Sequence, residues 1–319
     1  MDGVTDAAFR YVTAKYGHPG VIFTEFTSVE GIRAGATRLL DDFFYDPIER
    51  PIVAQLFGAD PDAFYVAAIV ASALGFDGLD INMGCPSRNI TEKGAGASLI
   101  QDPERALAII RQTKAGTKAW SEGTTLQEVG IDLPVRVIGR QELPVSVKTR
   151  TGYTQSAVGE WIPRLLEGEP AVITLHGRTL KQLYSGQADW EAVAEAAQIV
   201  KQTETKILGN GDVQSPADAR ERCVRYGVDG ALIGRAALGN PWLFQETEAD
   251  FPERMRVALE QARYLDQIFS GRGFLRMRKH LLEYCRGIEG AKELRATLMK
   301  VSSLAELEAV YVSSPYLLN

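Results

Sequence analysis

The chain has little of what would tie it to a membrane, a metal or an oxidising compartment. Across 319 residues it carries three cysteines and three histidines. Cys85, Cys223 and Cys285 are odd in number and widely spaced, which suits neither a disulfide framework nor a zinc site. No metal is therefore expected, and a reducing cytoplasm is the simplest compartment. There is no run of eighteen apolar residues, so no membrane span is expected. The opening Met1-Asp2-Gly3-Val4-Thr5-Asp6 has no basic stretch followed by an apolar one, and no secretory signal is expected. No Gly-x-Gly-x-x-Gly follows an early strand, which counts against a doubly wound dinucleotide fold.

Positive charge is also in short supply overall, with a net charge of −6. An acidic total argues against a polyanionic partner, but distribution matters more than the sum. Arg254 to Lys300 holds eleven Lys or Arg against five Asp or Glu, a local +6 that leaves −12 to the remainder. A basic C-terminal stretch on an acidic body is either a footprint for a polyanion or a solvated helical surface.

What the chain does have is rhythm, and 45% hydrophobic residues with which to bury a core. Short apolar runs recur at Val21–Phe26, Pro51–Phe57, Gly78–Met83, Pro144–Thr149, Ala171–Leu175, Lys206–Gly209 and Gly230–Ile233. They are rich in Val, Ile and Leu, as buried parallel strands are. Asp60-Pro61, Asp102-Pro103, Ser215-Pro216 and Asn240-Pro241 read as helix openings, a capping side chain followed by a residue that presets φ. Strand, turn and helix in repetition predict a parallel sheet covered by helices, and seven strands nearly complete a (β/α)8 barrel. Met1 to Arg10 reads as a strand-to-helix loop capped by Thr5 or Asp6, so the first barrel strand is expected upstream of Met1. Thr113–Glu142 reads as a surface insertion, punctuated by Gly116, Gly123, Gly130 and Gly139, with Val135–Ile138 as a hairpin strand. From about Phe244 the pattern turns helical over Pro252–Phe269, Leu275–Arg286 and Ala291–Val301. A capping box at Ser303–Glu306 opens a last helix. The expected division is a barrel over 1–243 and a helical domain over 244–319.

Catalytic groups in a (β/α) barrel sit where strands end. Here Gln55, Asn82, Lys148, His176 and Asn210 each close an apolar run. Any one of them is readily a satisfied core polar residue, whereas five at equivalent positions point to one shared site. A buried Lys148 ammonium needs an anion, from a neighbouring carboxylate or a ligand. Asn210-Gly211-Asp212 and Gly234-Arg235 follow the last two strands, where barrels often hold a phosphate on backbone N–H groups. Cys85 stands just past a strand end, in Asn82-Met83-Gly84-Cys85-Pro86-Ser87, ahead of the glycine-rich Lys93–Ala97. A thiol with an ordinary pKa of about 8.5 is mostly protonated at neutral pH and can act as a general acid. No histidine follows it locally to make a thiolate nucleophile.

Together these segments resemble the FMN-dependent tRNA-dihydrouridine synthases over nearly the whole chain. The stretches concerned are Met1–Asp6 with Phe9-Arg10, Thr24-Glu25, Gln55–Gly58, Asp80–Ser87, Gly94–Ala97, Ser146–Arg150, His176–Thr179, Tyr184–Gly186 with Asp189-Trp190, Asn210–Asp212 and Gly234-Arg235. In the tail they are Arg278-Lys279-His280, Gly287 and Leu294-Arg295. The Asn-x-Gly-Cys-Pro-Ser element with His-Gly-Arg-Thr downstream is the most specific part. The resemblance implies that FMN lies at the C-terminal mouth, with Met1 beside it. Its phosphate would rest on Asn210-Gly211-Asp212 and Gly234-Arg235, and its ring on Gln55, Lys148 and His176. A reduced flavin would be the anion that Lys148 needs. NADPH would reduce the flavin, flavin N5 would give hydride to C6 of a uridine flipped out of tRNA, and Cys85 would protonate C5. Asn82 would hold the uracil, and Arg178 with Lys279, His280 and Arg295 would hold the RNA. A monomer is the simpler expectation. Two features depart from the family: its Ala-Pro before the first Met is not in the chain, and Thr113–Glu142 is not typical. The rival readings are a flavin barrel acting on a free pyrimidine, as dihydroorotate dehydrogenases do, and a non-catalytic RNA-binding barrel.

Overall fold

The computed structural model describes Met1 and residues 3–132, 137–287 and 292–313. Among these the chain runs α1 (Ala7–Gly17), β1 (Ile22–Ser28), α2 (Val29–Arg33), β2 (Ile52–Phe57), α3 (Pro61–Ala73), β3 (Gly78–Met83), α4 (Arg88–Thr91), α5 (Pro103–Ser121) and β4 (Val145–Arg150). There follow α6 (Val158–Leu166), β5 (Val172–His176), α7 (Trp190–Val200), β6 (Lys206–Asn210), α8 (Pro216–Tyr226) and β7 (Gly230–Leu232). After β7 the longer elements are helices only: α9 (Phe251–Phe269), α10 (Met277–Tyr284), α11 (Lys292–Leu298) and α12 (Leu304–Ser313). No helix among the described residues is long and apolar enough to cross a membrane.

The seven strands make one sheet in the order β1 to β7. An order without reversal is the topology of a (β/α) barrel, whereas a doubly wound sheet switches direction part-way. All seven expected strands are present, each within two residues of its expected ends. Two compact units divide the chain: Phe23–Phe44 with Pro51–Ile233, and Met1–Ile22 with Tyr45–Arg50 and Gly234–Asn319.

In the sheet unit, Asp60, Asp102 and Ser215 cap α3, α5 and α8 through their side chains, as expected. Ten residues of α3 are buried, so it is packed on more than one side. One neighbour is α5, and Gly116 is the point of closest approach. A Cβ there would lie 2.4 Å from the Tyr65 carbonyl oxygen and 2.8 Å from Ala68 Cβ. The expected insertion thus begins later than Thr113. Thr113, Gly116, Thr117 and Trp120 continue the buried stripe of α5, which runs to Ser121. The link that follows is tied back at its far end: Trp120 Nε1 donates to Gly139 O at 2.9 Å, and the Arg140 guanidinium lies 4.4 Å from the Trp120 ring. Of the expected hairpin strand, Val135 and Arg136 lie outside the described residues, and Val137 and Ile138 belong to no strand.

The second unit is helical. Asp6 caps α1, accepting from Phe9 N at 3.0 Å. Inside the unit, Arg10 Nε meets Glu49 Oε2 at 2.7 Å with both side chains buried, and Arg10 Nη1 donates to Thr5 O at 2.8 Å. Tyr11 stacks on Tyr264 at 4.0 Å, and Lys15 and Tyr16 both reach Glu260 at 2.6 Å, so α1 is fastened to α9. Met255, Ala258, Ala262 and Leu265 of α9 share a core with Leu281, Leu294, Leu298 and Leu307. Three expectations need correction here. Asn240-Pro241 opens a 3-10 turn, Pro241–Gln245, without a side-chain cap. The helix expected from Leu275 starts as a 3-10 turn, Phe274–Arg276, before α10. The box at Ser303 is half made: Ser303 Oγ accepts from Glu306 N, but the Glu306 carboxylate accepts from Ser302 N at 2.8 Å.

Candidate active site

Strand register gathers the polar residues onto one face. Directly paired residues in a parallel sheet point the same way, and side chains alternate along a strand. The pairs Gln55↔Asp80, Asp80↔Ser146, Asn82↔Lys148, Arg150↔His176 and His176↔Asn210 therefore lie on a single face. Leu79, Ile81 and Val147, between them, point to the other face, and all three are buried. The five predicted strand-end residues thus share one surface, joined by Asp80, Ser146 and Arg150.

A hydrogen-bonded relay crosses this face. Ser146 Oγ donates to Asp80 Oδ1 at 2.6 Å and Gln55 Nε2 donates to Asp80 Oδ2 at 2.7 Å. Gln55 Oε1 then accepts from Asn82 Nδ2 at 2.9 Å. Asn82 Oδ1 accepts from Gly84 N at 3.1 Å and Cys85 N at 2.9 Å, which folds the chain tightly after β3 and sets Cys85 at the strand end. Both ends of the relay agree on polarity, since backbone N–H groups can only donate and a carboxylate can only accept. One N–H on Gln55 Nε2 and one on Asn82 Nδ2 are left over, so both amides offer donors. Burial pushes the Asp80 carboxyl up, against the Ser146 and Gln55 hydrogen bonds and the Lys148 charge that pull it down. The glycine-rich stretch supports Cys85 from behind. Ala97 N donates to Cys85 O at 3.0 Å, and a Cβ on Gly96, at φ +60°, would fall 2.8 Å from that oxygen.

Lys148 is half-buried and makes no hydrogen bond or ion pair among the described residues. Burial lowers its pKa to about 8; Asp80 and Cys85 pull the other way, and Arg150 pushes it lower still. Arg150 is itself buried and acts as a brace. Its Nε donates to Gly84 O at 2.7 Å and its Nη1 to Thr179 O at 2.9 Å, joining the Cys85 turn to the loop after β5. His176 is buried, and burial lowers its pKa to about 2, with Lys148, Arg150 and Arg178 adding to the effect.

Arg178 is not where an RNA-binding residue belongs. It is 2% exposed, and its guanidinium is spent inside the site: Nη2 donates to Asp212 Oδ2 and to Gly186 O, each at 2.6 Å, and Nη1 lies 3.3 Å from His176 Nε2. Asn210 is half-buried, with Nδ2 donating to Leu232 O at 2.9 Å. Gly211 has φ +122°, and a Cβ on it would lie 2.6 Å from Ala188 Cβ and 2.9 Å from His176 Cδ2, so the turn admits no larger residue.

The remaining predicted residues belong to the helical unit. Met1 is partly exposed, and its sulfur lies 3.5 Å from where a Gly234 Cβ would stand. Arg235 is exposed and opens a short 3-10 turn. Arg295 is exposed and Lys279 half-buried. His280 is 0% exposed, stacked on Phe9 at 5.5 Å with Nε2 3.8 Å from Asp6 Oδ2, so it packs α10 against α1 and cannot touch RNA. The tail motif concealed this because Met277 and Leu281 place His280 on the apolar face of α10. Sequence reasoning also passed over Asp80 and Arg150. Asp80 sits mid-strand among apolar residues, and a buried carboxylate there was itself the available signal.

The face presents N–H donors, one thiol and an ammonium that has no hydrogen bond or ion pair among the described residues, and it suits a ligand with carbonyl oxygens and negative charge. Two relatives carry the name "Probable tRNA-dihydrouridine synthase" or a numbered form of it. One, from Staphylococcus aureus (strain COL), is 33% identical over 97% of this chain and 90% of its own. The other, from a Synechocystis sp. strain, is 34% identical over 96% of this chain and 82% of its own. Among solved structures, a DHODH from Eimeria tenella aligns with 75% of this chain and 65% of its own at 13% identity and a TM-score of 0.44. The family model described as dihydrouridine synthase matches residues 1–132 and 133–314, and the chain belongs to the dihydrouridine synthase family.

Proposed function

We propose that this chain is a flavin-dependent oxidoreductase that reduces a uridine ring in tRNA, with FMN held on the polar face and NADPH as reductant. The observation that carries the reading is Lys148, a half-buried ammonium with no hydrogen-bond or ion-pair partner among the described residues, standing among donors. A cation so placed costs stability unless a bound anion answers it. The pyrimidine edge of a reduced flavin is such an anion, and Gln55 Nε2 and His176 border the same face. Asn210-Gly211-Asp212, at the end of β6, is the proposed phosphate holder of the sheet unit.

When bound, FMN supplies the hydride. The chain supplies the rest. Cys85 holds the proton destined for C5 of the uracil, from a turn that Asn82 and Ala97 fix. The spare N–H of Asn82 suits a uracil carbonyl. The target base must leave its stack to reach this face. Residues 244–319 are the proposed RNA-binding part, with Lys279 and Arg295 among its cations; contacts of that kind read phosphates, and affinity should fall with salt. Cytoplasmic location and a monomeric state go with this reading.

Lys148→Met separates the cost of the site from its use. The substitution removes an ill-solvated charge, so FMN-free protein should melt at a higher temperature than wild type at neutral pH, while FMN binds more weakly. The sign follows from the lowered pKa. Between about 8 and the ordinary lysine value the folded state binds fewer protons than the unfolded one. This residue therefore makes the FMN-free wild type more stable as pH rises through that window. Melting curves with and without FMN, at neutral and alkaline pH, check both effects; a Lys148→Met protein that loses stability and keeps FMN affinity contradicts the assignment. The function itself is tested by reducing the FMN-loaded protein anaerobically and adding oxidant. Unmodified tRNA should restore the oxidised flavin spectrum, and free uracil or orotate should not. Reoxidation by the free pyrimidine alone would replace this reading with that of a free-pyrimidine enzyme.

A further inference from the structure

We propose that Arg178 is a positioning residue: it locks His176 in the uncharged Nδ1–H tautomer, making the imidazole a fixed hydrogen-bond donor that takes no part in proton transfer. The identity of the ligand that receives this bond rests on the reading above; the tautomer does not.

A guanidinium keeps its protons and can only donate. With Arg178 Nη1 3.3 Å from His176 Nε2, the histidine nitrogen must present its lone pair, and the ring proton must sit on Nδ1. The fork cannot swing away to relax this. Its Nη2 is held by Asp212 Oδ2 and Gly186 O, and its Nε by Ser185 O at 3.3 Å. Asp212 is held in turn, accepting from Ala188 N at 2.8 Å from a left-handed backbone at φ +56°. On the other side, Gly211 closes on the ring edge, leaving no room for a Cβ near Cδ2.

Protonation of the ring is opposed first by burial and then by three cations. Lys148 and Arg150 face it from β4 and Arg178 from its own loop, while Asp212, from the loop after β6, favours the cation. The Asp212 carboxylate is already engaged by Arg178. The direction of the His176 shift, far below an ordinary histidine, agrees with this geometry. His176 Nδ1 has no partner among the described residues, so its N–H is the group left for a ligand. Orientation of a ligand-holding histidine through its second nitrogen is the usual division of labour around a site. Here the orienting group also ties the end of β5 to the turn after β6, and it does so from a residue that the family motif places beside the histidine.

The test is nitrogen-15 NMR of the histidine side chains in FMN-loaded protein. With three histidines in the chain, His176→Gln identifies the signals of interest. The expected wild-type pattern is a protonated Nδ1 and a bare Nε2, unchanged from about pH 8 to about pH 5, across which an ordinary histidine titrates. In Arg178→Met, Nε2 protonation should appear while the ring stays uncharged in that range, because burial, Lys148 and Arg150 still oppose the cation. Arg178→Lys, which keeps a cation and loses the fork, should show mixed tautomers without titration. A wild-type His176 that is Nε2-protonated or that titrates overturns the proposal, and so does an Arg178→Met spectrum identical to wild type. Should Arg178→Met fail to fold, the wild-type spectrum alone decides. Absence of tRNA reduction with the expected tautomer present would count against the functional reading and leave this inference standing.

Discussion

Cys85→Ala should slow dihydrouridine formation by about 10²–10⁴-fold, the usual contribution of a positioned general acid. The expectation follows from how much of the local structure exists to place this one thiol. Asn82 Oδ1 binds the Gly84 and Cys85 N–H groups, Ala97 N binds Cys85 O, and Arg150 binds Gly84 O. None of these bonds uses the Cys85 side chain, so the turn should survive its loss. The defect should fall on one half of the cycle. Reduction of the bound flavin by NADPH should proceed at about the wild-type rate, and reoxidation by tRNA should fall. Stopped-flow absorbance of the two half-reactions distinguishes these. Equal slowing of both would mean that the substitution disturbs flavin binding and that the thiol is not the proton donor.

Arg10→Met should destabilise the protein by about 3–5 kcal/mol, the cost of breaking a buried pair by removing one partner. Arg10 and Glu49 are both buried, 2.7 Å apart, and Arg10 also satisfies the Thr5 carbonyl at the start of α1. Methionine fills much of the space but leaves a carboxylate without its cation. Burial already pushes the Glu49 carboxyl up, and Arg10 is the first influence pulling it back. Without the guanidinium, Glu49 should take up a proton on folding, and the loss should be smaller at low pH. Denaturant unfolding at two pH values measures it. A loss below about 1 kcal/mol, as for an exposed pair, would show that this interaction does not hold α1 in place.

The parts of the fold legible in the sequence were those written in period and punctuation. All seven strands could be read because a strand covered on both faces must be apolar almost throughout, and Gly78–Met83 is found with its expected ends. Capping residues marked α3, α5 and α8 because an exposed helix start needs an acceptor. Gly116 misled, because glycine marks a turn in one setting and a close helix contact in another; only the packing of α5 on α3 tells them apart. In the site, residue types at strand ends identified Gln55, Asn82, Lys148, His176 and Asn210, and register then put them on one face. What a strand-end rule cannot supply is the partner of each group. Arg178 and His280 are charged or titratable residues in motifs that a sequence reader sends to the surface, yet both are buried. The difference lies in long-range contacts, Arg178 with Asp212 and His280 with Phe9 and Asp6, which no local pattern encodes. Asp80 was missed for the converse reason: its two donors, Ser146 and Gln55, come from neighbouring strands.

The most direct measurement is mass spectrometry of tRNA incubated with the purified wild-type protein, FMN and NADPH. Digestion to nucleosides and fragments reports any uridine that has gained two hydrogens and where it lies in the RNA. That gain is expected at a defined uridine, dependent on both FMN and NADPH and greatly slowed in Cys85→Ala. FMN-loaded protein that binds tRNA and leaves every uridine unchanged would contradict it.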